Sequence, residues 1–375
     1  MEIYKNTDDL HFDWGKPLSY NKIWNFAIGQ RESGKSVNSW MKLYNAYYFE
    51  NRPSLVLRRR IADITPAYIE DTETLLNKFL VKPIQLLYMK GDIKNGIVDV
   101  KVGDAGVEYS WQQTKKLPVF FRVIGLSNPM NRIKSLMLND VKYIFMDEFI
   151  VNLRANEKYL TGDEKFLIQE IYTTFNREAS TPIKILCCAN PYSVYCPLFT
   201  GLNVDTAKLK PGAFVVGPDY VIDCFQASDK LKAKILAQNP LYEFDDSYAR
   251  YGFNGESVND TNIKIQKFEP KGFKLKFIFK LGNDFITVHQ GTPDSMGIQK
   301  ENFWVCKHKP GWYEKVGRKR KIVVFDFRDM CDGSFLLNSE IMMNTASLRQ
   351  AISKRNITYN CIEASYMMED VYRCL

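Results

Sequence analysis

Eight consecutive residues carry the clearest chemistry in this sequence. Gly29-Gln30-Arg31-Glu32-Ser33-Gly34-Lys35-Ser36 has the spacing G-x-x-x-x-G-K-S of a phosphate-binding loop. Its two glycines let the backbone wrap closely around phosphate oxygens. Lys35 is placed to reach the β- and γ-phosphates of ATP, and Ser36 to ligate Mg²⁺. A second pair, Asp147-Glu148, closes the mostly apolar run 141–146, about 110 residues further on. That is the Walker B form, in which Asp147 holds Mg²⁺ through water and Glu148 polarises the attacking water as general base. A third polar residue, Asn190, ends the apolar run 183–189. It is a candidate sensor of the γ-phosphate, or else a turn residue before Pro191.

The flanking runs must position these groups. Residues 23–28 have the composition of a buried strand, and 37–49 have helical spacing with no Gly or Pro. The loop therefore sits between a strand and a helix, whose N-terminus offers free N–H groups and a positive dipole end to the same anion. A Glu directly after the Walker B Asp predicts the ATPase branch with an additional strand between the two Walker strands. The runs 54–57 and 119–124 can supply such strands. Helices are expected over 66–80 and 163–175 and a strand over 183–189. Ligands gather at the carboxyl edges of parallel sheets, so Asn190 is expected beside Lys35 and Asp147.

Other segments admit two readings. Residues 1–22 form a polar lead-in, in which Leu18-Ser19-Tyr20 either supports an adenine or packs. Arg58-Arg59-Arg60 is either a solvated strand end or a contact to phosphates of nucleotide or nucleic acid. A loop over 125–139 carries Asn131, Arg132 and Lys134, placed to touch phosphates. Gly201, Pro211, Gly212, Gly217 and Pro218 then mark a boundary. Ser228-Asp229 caps an expected helix through Gln238. Strands are expected over 274–281, 284–289, 302–307 and 321–327, followed by helices over about 338–353 and 362–373. The division expected is 1–203, a linker region with a short helix over 204–261, and 262–375.

A length of 375 residues with 45% hydrophobic content supports two or three cored domains. The net charge of +8 fits a polyanionic partner, although a solvated surface would look similar. The eight cysteines include no C-x-x-C pair, which argues against zinc and thioredoxin-like chemistry. Cys306-x-His308 is the closest Cys/His pair, and Cys187-Cys188 lies in an apolar run. This usage, with no apolar signal core in residues 1–13, predicts a reduced, intracellular chain. No apolar run approaches a membrane span. The C-terminal part is basic: residues 264–280 hold six lysines against Glu269. Lys307, Lys309, Lys315, Arg318, Lys319, Arg320 and Lys321 follow, interleaved with Phe303, Trp304, Trp312 and Tyr313. That pattern suits binding to a phosphate backbone; the plain alternative is a charged β-surface.

With these parts in place, the chain resembles the genome-packaging ATPases of φ29-like small tailed phages, relatives of the large terminases. Leu18-Ser19-Tyr20 leading into Asn25-Phe26-Ala27-Ile28-Gly29 and Gly34-Lys35-Ser36 carries the likeness, as do Phe145-Met146-Asp147-Glu148-Phe149-Ile150 and Ala189-Asn190-Pro191-Tyr192-Ser193-Val194. The likeness is specific mainly over residues 18–200. It implies an α/β additional-strand P-loop ATPase domain, a linker, and an α+β RNase H-like C-terminal domain without the full nuclease carboxylate set. Asp284, Asp294, Asp326, Asp329 and Asp332 form no recognisable metal triad, so no nuclease activity is expected. The resemblance further implies a ring of five subunits at the portal vertex of an empty prohead. There it pumps double-stranded DNA inward with ATP, and a structural prohead RNA scaffolds the ring. Arg31 would act in cis on the γ-phosphate, Lys134 on the neighbouring subunit's nucleotide, and Arg177 as a trans arginine finger. Such a protein works in the host cytoplasm, binds the portal vertex transiently and is absent from the mature virion. Two other readings stand beside it. One is a helicase or partition-type ATPase, opposed by the lack of a second ATPase core. The other is a nucleotide-gated clamp or assembly protein, opposed by the intact Asp147-Glu148.

Overall fold

The computed structural model describes residues 3–4, 10–152, 157, 159–160, 164–193, 196–239, 264–281, 284–292, 302–308, 311–315, 324–326, 345–351 and 356–374. The chain divides into two units, Met1–Asn259 and Asp260–Leu375.

The first unit is built on a nine-stranded mixed sheet. Its strands in chain order are β1 (Trp24–Gly29), β2 (Ser54–Arg58), β3 (Ile84–Tyr88), β4 (Ile97–Asp104), β5 (Val119–Gly125), β6 (Tyr143–Asp147), β7 (Lys184–Ala189), β8 (Phe214–Val216) and β9 (Tyr220–Phe225). The spatial order is β3-β4-β5-β2-β6-β7-β1-β9-β8. The six strands from β5 to β9 run parallel, and the antiparallel pairs lie at the two edges.

The parallel strands read as unbroken apolar runs because both faces are covered. Alternate side chains feed two cores. Phe26, Leu57, Ile144, Met146 and Cys187 face one, and Ala27, Val56, Phe145, Leu186 and Cys188 the other. Helix α1 (Lys35–Glu50) packs on the second face through Trp40, Leu43 and Tyr44. Helix α2 (Pro66–Phe79) joins it there through Ile69 and Leu76. Thr65 caps this helix by accepting from the Tyr68 N–H at 3.1 Å, with Pro66 in its first turn. Helix α3 (Glu164–Asn176) packs on the first face through Ile168, Ile171 and Phe175. Truncating a fully buried ring such as Phe26 or Phe145 would cost about 3–5 kcal/mol.

Three expectations change. The strand between the two Walker strands is β7, the 183–189 run; β2 and β5 lie beyond β6. The stretch expected to be a linker from 204 contains β9, which pairs in parallel register with β1 along its whole length. Backbone pairing thus ties these residues to the first unit, and the glycines and prolines before them shape a β8–β9 hairpin and its approach. Helix α4 (Asp229–Gln238) follows, capped at Ser228 as expected. The polar lead-in is not uniformly polar in place. Phe12 and Trp14 are fully buried against α1, where the Trp14 indole donates to Ser39 Oγ at 2.8 Å. Leu18 packs on that same core, which favours the packing role of 18–20.

The second unit holds a five-stranded sheet in the order β13-β10-β11-β12-β14. Its strands are β10 (Phe273–Leu281), β11 (Asp284–Gly291), β12 (Phe303–His308), β13 (Val324–Asp326) and β14 (Ile357–Tyr359). β10, β11 and β12 form an antiparallel meander, with β13 parallel to β10 and β14 parallel to β12. Helix α5 (Ile362–Cys374) covers it through Ala364, Met367, Met368 and Val371. Residues 345–351 are also helical.

Candidate active site

β1 ends at Gly29, where the chain turns into the phosphate loop. A Cβ on Gly29 would come within 2.8 Å of the Phe225 carbonyl oxygen of β9, so only glycine lets the two strands lie this close. Gly34 has φ +82°, and a Cβ there would strike His11 at 2.8 Å. The loop is also pinned from outside, as the Phe12 N–H donates to the Ser33 carbonyl at 2.9 Å. Lys35 Nζ is buried and donates to the carbonyls of Gly29 and Gln30, both at 2.8 Å, and to Ser33 Oγ at 2.9 Å. Burial lowers its pKa to about 8, with Cys188 and Asp147 opposing the shift.

The Walker B pair ends β6. The Ser36 hydroxyl hydrogen-bonds the Asp147 carboxylate. Burial raises the Asp147 pKa, against the opposing effects of Ser36, Arg58 and Lys35. Glu148 sits at φ +57°, a left-handed backbone that a non-glycine residue rarely adopts. Its N–H donates to Asp147 Oδ1 at 3.0 Å. Burial raises the Glu148 pKa, and the Asp147 charge adds to the effect.

These groups line one cleft of about 490 Å³, together with Arg31, Glu32, Ser33, Gly34, Ser36, Val37, Ala189, Asn190 and Asn239. Insertion of β7 between the Walker strands is what carries Asn190 there. Cys188 lies level with both Asp147 and Ala27, two residues before Asn190. Arg31 Nη2 donates to the Tyr192 hydroxyl at 3.2 Å. Ser36 and Asp147 set a hydroxyl and a carboxylate side by side, the oxygen donors that Mg²⁺ takes. The residues present therefore fit that ion.

The remaining predicted residues stand elsewhere. Arg177 is exposed on the turn after α3 and does not line its own chain's cleft. Lys134 is exposed and pairs with Glu170 of α3. Arg132 is exposed on the short helix Met130–Lys134. Arg318, Lys319, Arg320 and Lys321 lie outside the described residues, as do Asp294, Asp329 and Asp332. Asp284 begins β11 and Asp326 ends β13.

Arg59 has a role that the sequence did not reveal. It is not a solvated strand end. Its guanidinium donates to both carboxylate oxygens of Glu164, at 2.8 and 3.3 Å, and to the carbonyls of Glu148 and Phe149 at 3.2 and 2.9 Å. Glu164 opens the predicted 163–175 helix, and an acid in a first helical turn looks like a dipole partner. Nothing in the spacing paired it with an arginine 105 residues earlier. Arg58 lies over the Tyr68 ring, 4.8 Å from its centroid. A smaller cavity of about 130 Å³ adjoins the cleft, lined by Arg58, Arg59, Arg60, Asp63, Asp147, Glu148 and Glu157.

Comparison with known proteins gives the same direction. No family model matches the chain. The DNA packaging protein of Bacillus phage PZA is 23% identical over 278 residues, covering 72% of each chain. This chain is similar to phage DNA-packaging proteins. The fold of the Phi-28 gp11 DNA packaging motor matches at TM-score 0.59 and 15% identity, covering 97% of this chain and 98% of that one. The bacteriophage Phi-29 viral genome packaging motor assembly matches at TM-score 0.56 and 18% identity, covering 98% and 99%. The likeness in sequence thus spans 72% of the chain, and the likeness in fold nearly all of it. Among the described residues no helix is long and apolar enough to cross a membrane.

Proposed function

We propose that this chain is a genome-packaging motor ATPase, hydrolysing ATP to move double-stranded DNA into a preformed prohead. The observation that carries the reading is the single cleft ringed by Lys35, Ser36, Asp147, Glu148 and Asn190. The packaging proteins it resembles supply the biological setting.

The phosphates of ATP would lie along the loop's N–H groups, at the start of α1. Lys35 would exchange its three loop oxygens for β- and γ-phosphate oxygens. Ser36 and Asp147 would hold Mg²⁺, which when bound neutralises charge on the transferring phosphoryl group. Glu148 would accept the proton of the attacking water, and its raised pKa brings it closer to the working pH. Asn190 would contact the γ-phosphate. Arg31 would reach it in cis from beside Tyr192, and Lys134 and Arg177 would act on a neighbouring subunit's nucleotide.

We infer a homomeric ring, a pentamer, at the portal vertex, scaffolded by a structural RNA. It would work in the host cytoplasm and leave before the virion matures. The meander of β10–β12 with β13 parallel to β10 supports an RNase H-like reading of the second unit, basic and without nuclease activity. Arg132, Lys134 and the Arg318–Lys321 run would meet DNA phosphates.

Steady-state ATP hydrolysis, with and without double-stranded DNA and proheads, tests the reading. Wild type should turn over ATP, proheads and DNA should stimulate it, and Glu148→Gln should abolish it. Tight ATP binding with no turnover, or turnover indifferent to Glu148→Gln, would favour a nucleotide-gated clamp.

A further inference from the structure

Glu148 holds its left-handed backbone at the end of a strand, with no glycine or asparagine to ease it. Something must fix that turn in one place, and the contacts point to a side chain 89 residues earlier in the chain. Arg59 donates to the carbonyl of Glu148 itself and to the next carbonyl, Phe149. Its remaining donors grip both oxygens of Glu164, whose side chain is fully buried. Glu164 in turn accepts from the Leu160 N–H at 2.8 Å. The Arg59 guanidinium also lies over the Tyr159 ring, 5.2 Å from its centroid. Each end of this fork is thus occupied, and the arginine cannot shift without releasing a buried carboxylate.

Resting on the hydrolytic reading above, we propose that Arg59 and Glu164 are positioning residues for the catalytic base. The pair clamps the Glu148 turn to the first residue of α3. The same helix carries Glu170, the partner of Lys134, and ends one residue before Arg177. The base and the two cations assigned to a neighbour's nucleotide therefore share one rigid mount. A lysine at 59 keeps the positive charge, yet its single ammonium cannot span two carbonyls and a carboxylate in a planar fork. A glutamine at 164 keeps the shape and one acceptor while removing the charge.

The test uses the full chain. Turnover and the Kd for ATPγS are measured for wild type, Arg59→Lys, Glu164→Gln and Glu148→Gln. We expect Arg59→Lys to lower kcat at least tenfold, with the ATPγS Kd within twofold of wild type. Glu164→Gln should follow the same pattern more mildly. A kcat equal to wild type overturns the proposal. So does a Kd that weakens in step with kcat, or loss of folding in both single variants, since each makes the pair a general structural element. If wild type shows no turnover sensitive to Glu148→Gln, it is the hydrolytic reading that has failed, and the ATPγS data show that separately.

Discussion

Asp147 lies level with Cys188, and it is Cys188 that lies level with Ala27 of the phosphate-loop strand. The two halves of the candidate nucleotide site are therefore one strand apart, and Asn190 directly follows that strand. A polar side chain on the intervening strand sees both the loop and the carboxylate pair. Asn190→Ala should lower kcat by about tenfold, the equivalent of one lost hydrogen bond of about 1.4 kcal/mol. The ATPγS affinity should stay within about threefold of wild type. Single-turnover hydrolysis alongside equilibrium binding separates the two effects, and unchanged kcat and affinity would make Asn190 a turn residue only.

Lys35 gives the site a pH dependence. Its pKa is lowered to about 8, chiefly by burial, so the free protein sheds this proton as pH rises through that value. Phosphate oxygens want the ammonium. Nucleotide affinity should be flat below about pH 8 and weaken by up to about tenfold per pH unit above it. Isothermal titration with ATPγS from pH 7 to 9.5 checks the slope. The stability effect has the opposite sense. The unfolded chain holds this proton up to the ordinary lysine range, so between the two pKa values it binds more protons than the folded form. The cost of burying the ammonium is accordingly relieved as pH rises through that window.

Glu148 carries two penalties at neutral pH. Its pKa is raised by burial and by Asp147, and its backbone is left-handed. A raised carboxylate pKa means the charged form is disfavoured in the fold, so stability falls as pH rises through the shifted value. Glu148→Gln removes the charge and leaves the backbone alone. It should abolish turnover while raising the thermal midpoint at pH 7–8, and that gain should vanish at pH 4, where the carboxylate is protonated. Differential scanning calorimetry at both pH values reads the difference. In wild type the acid limb of kcat should lie above the usual glutamate range.

Much of this site was legible because its chemistry is local. The spacing from Gly29 to Ser36, the apolar run into Asp147-Glu148 and the run into Asn190 each declare a strand end and its polar cargo. Strand order was not legible. The runs 54–57, 119–124 and 183–189 are equally apolar, and only their pairing shows which one lies between the Walker strands. β9 escaped notice because glycines and prolines flank it, although Val221 and Ile222 are fully buried beside β1. Arg59 escaped for a different reason: a side chain that pairs with a carboxylate and two carbonyls far along the chain leaves no periodic mark.

Arg177 supplies the sharpest test of assembly. It is exposed, follows α3 directly, and stands outside the cleft of its own chain. A cation there would do no catalytic work in an isolated subunit, whereas in the proposed ring it would face a neighbour. Arg177→Ala should therefore leave ATPγS binding intact and reduce prohead-stimulated turnover by about 10³-fold, the scale of a lost arginine finger. Mixing tells whether the effect crosses a subunit boundary. Arg177→Ala keeps an intact cleft but offers no finger, and Lys35→Ala offers the finger but has no working cleft. Combined on proheads, some neighbours pair an intact cleft with an intact Arg177, and turnover should recover to a measurable fraction of wild type. If the mixture stays as inactive as either parent, while wild-type subunits mixed in equal proportion remain active, Arg177 acts within its own chain and the ring does not complete the site.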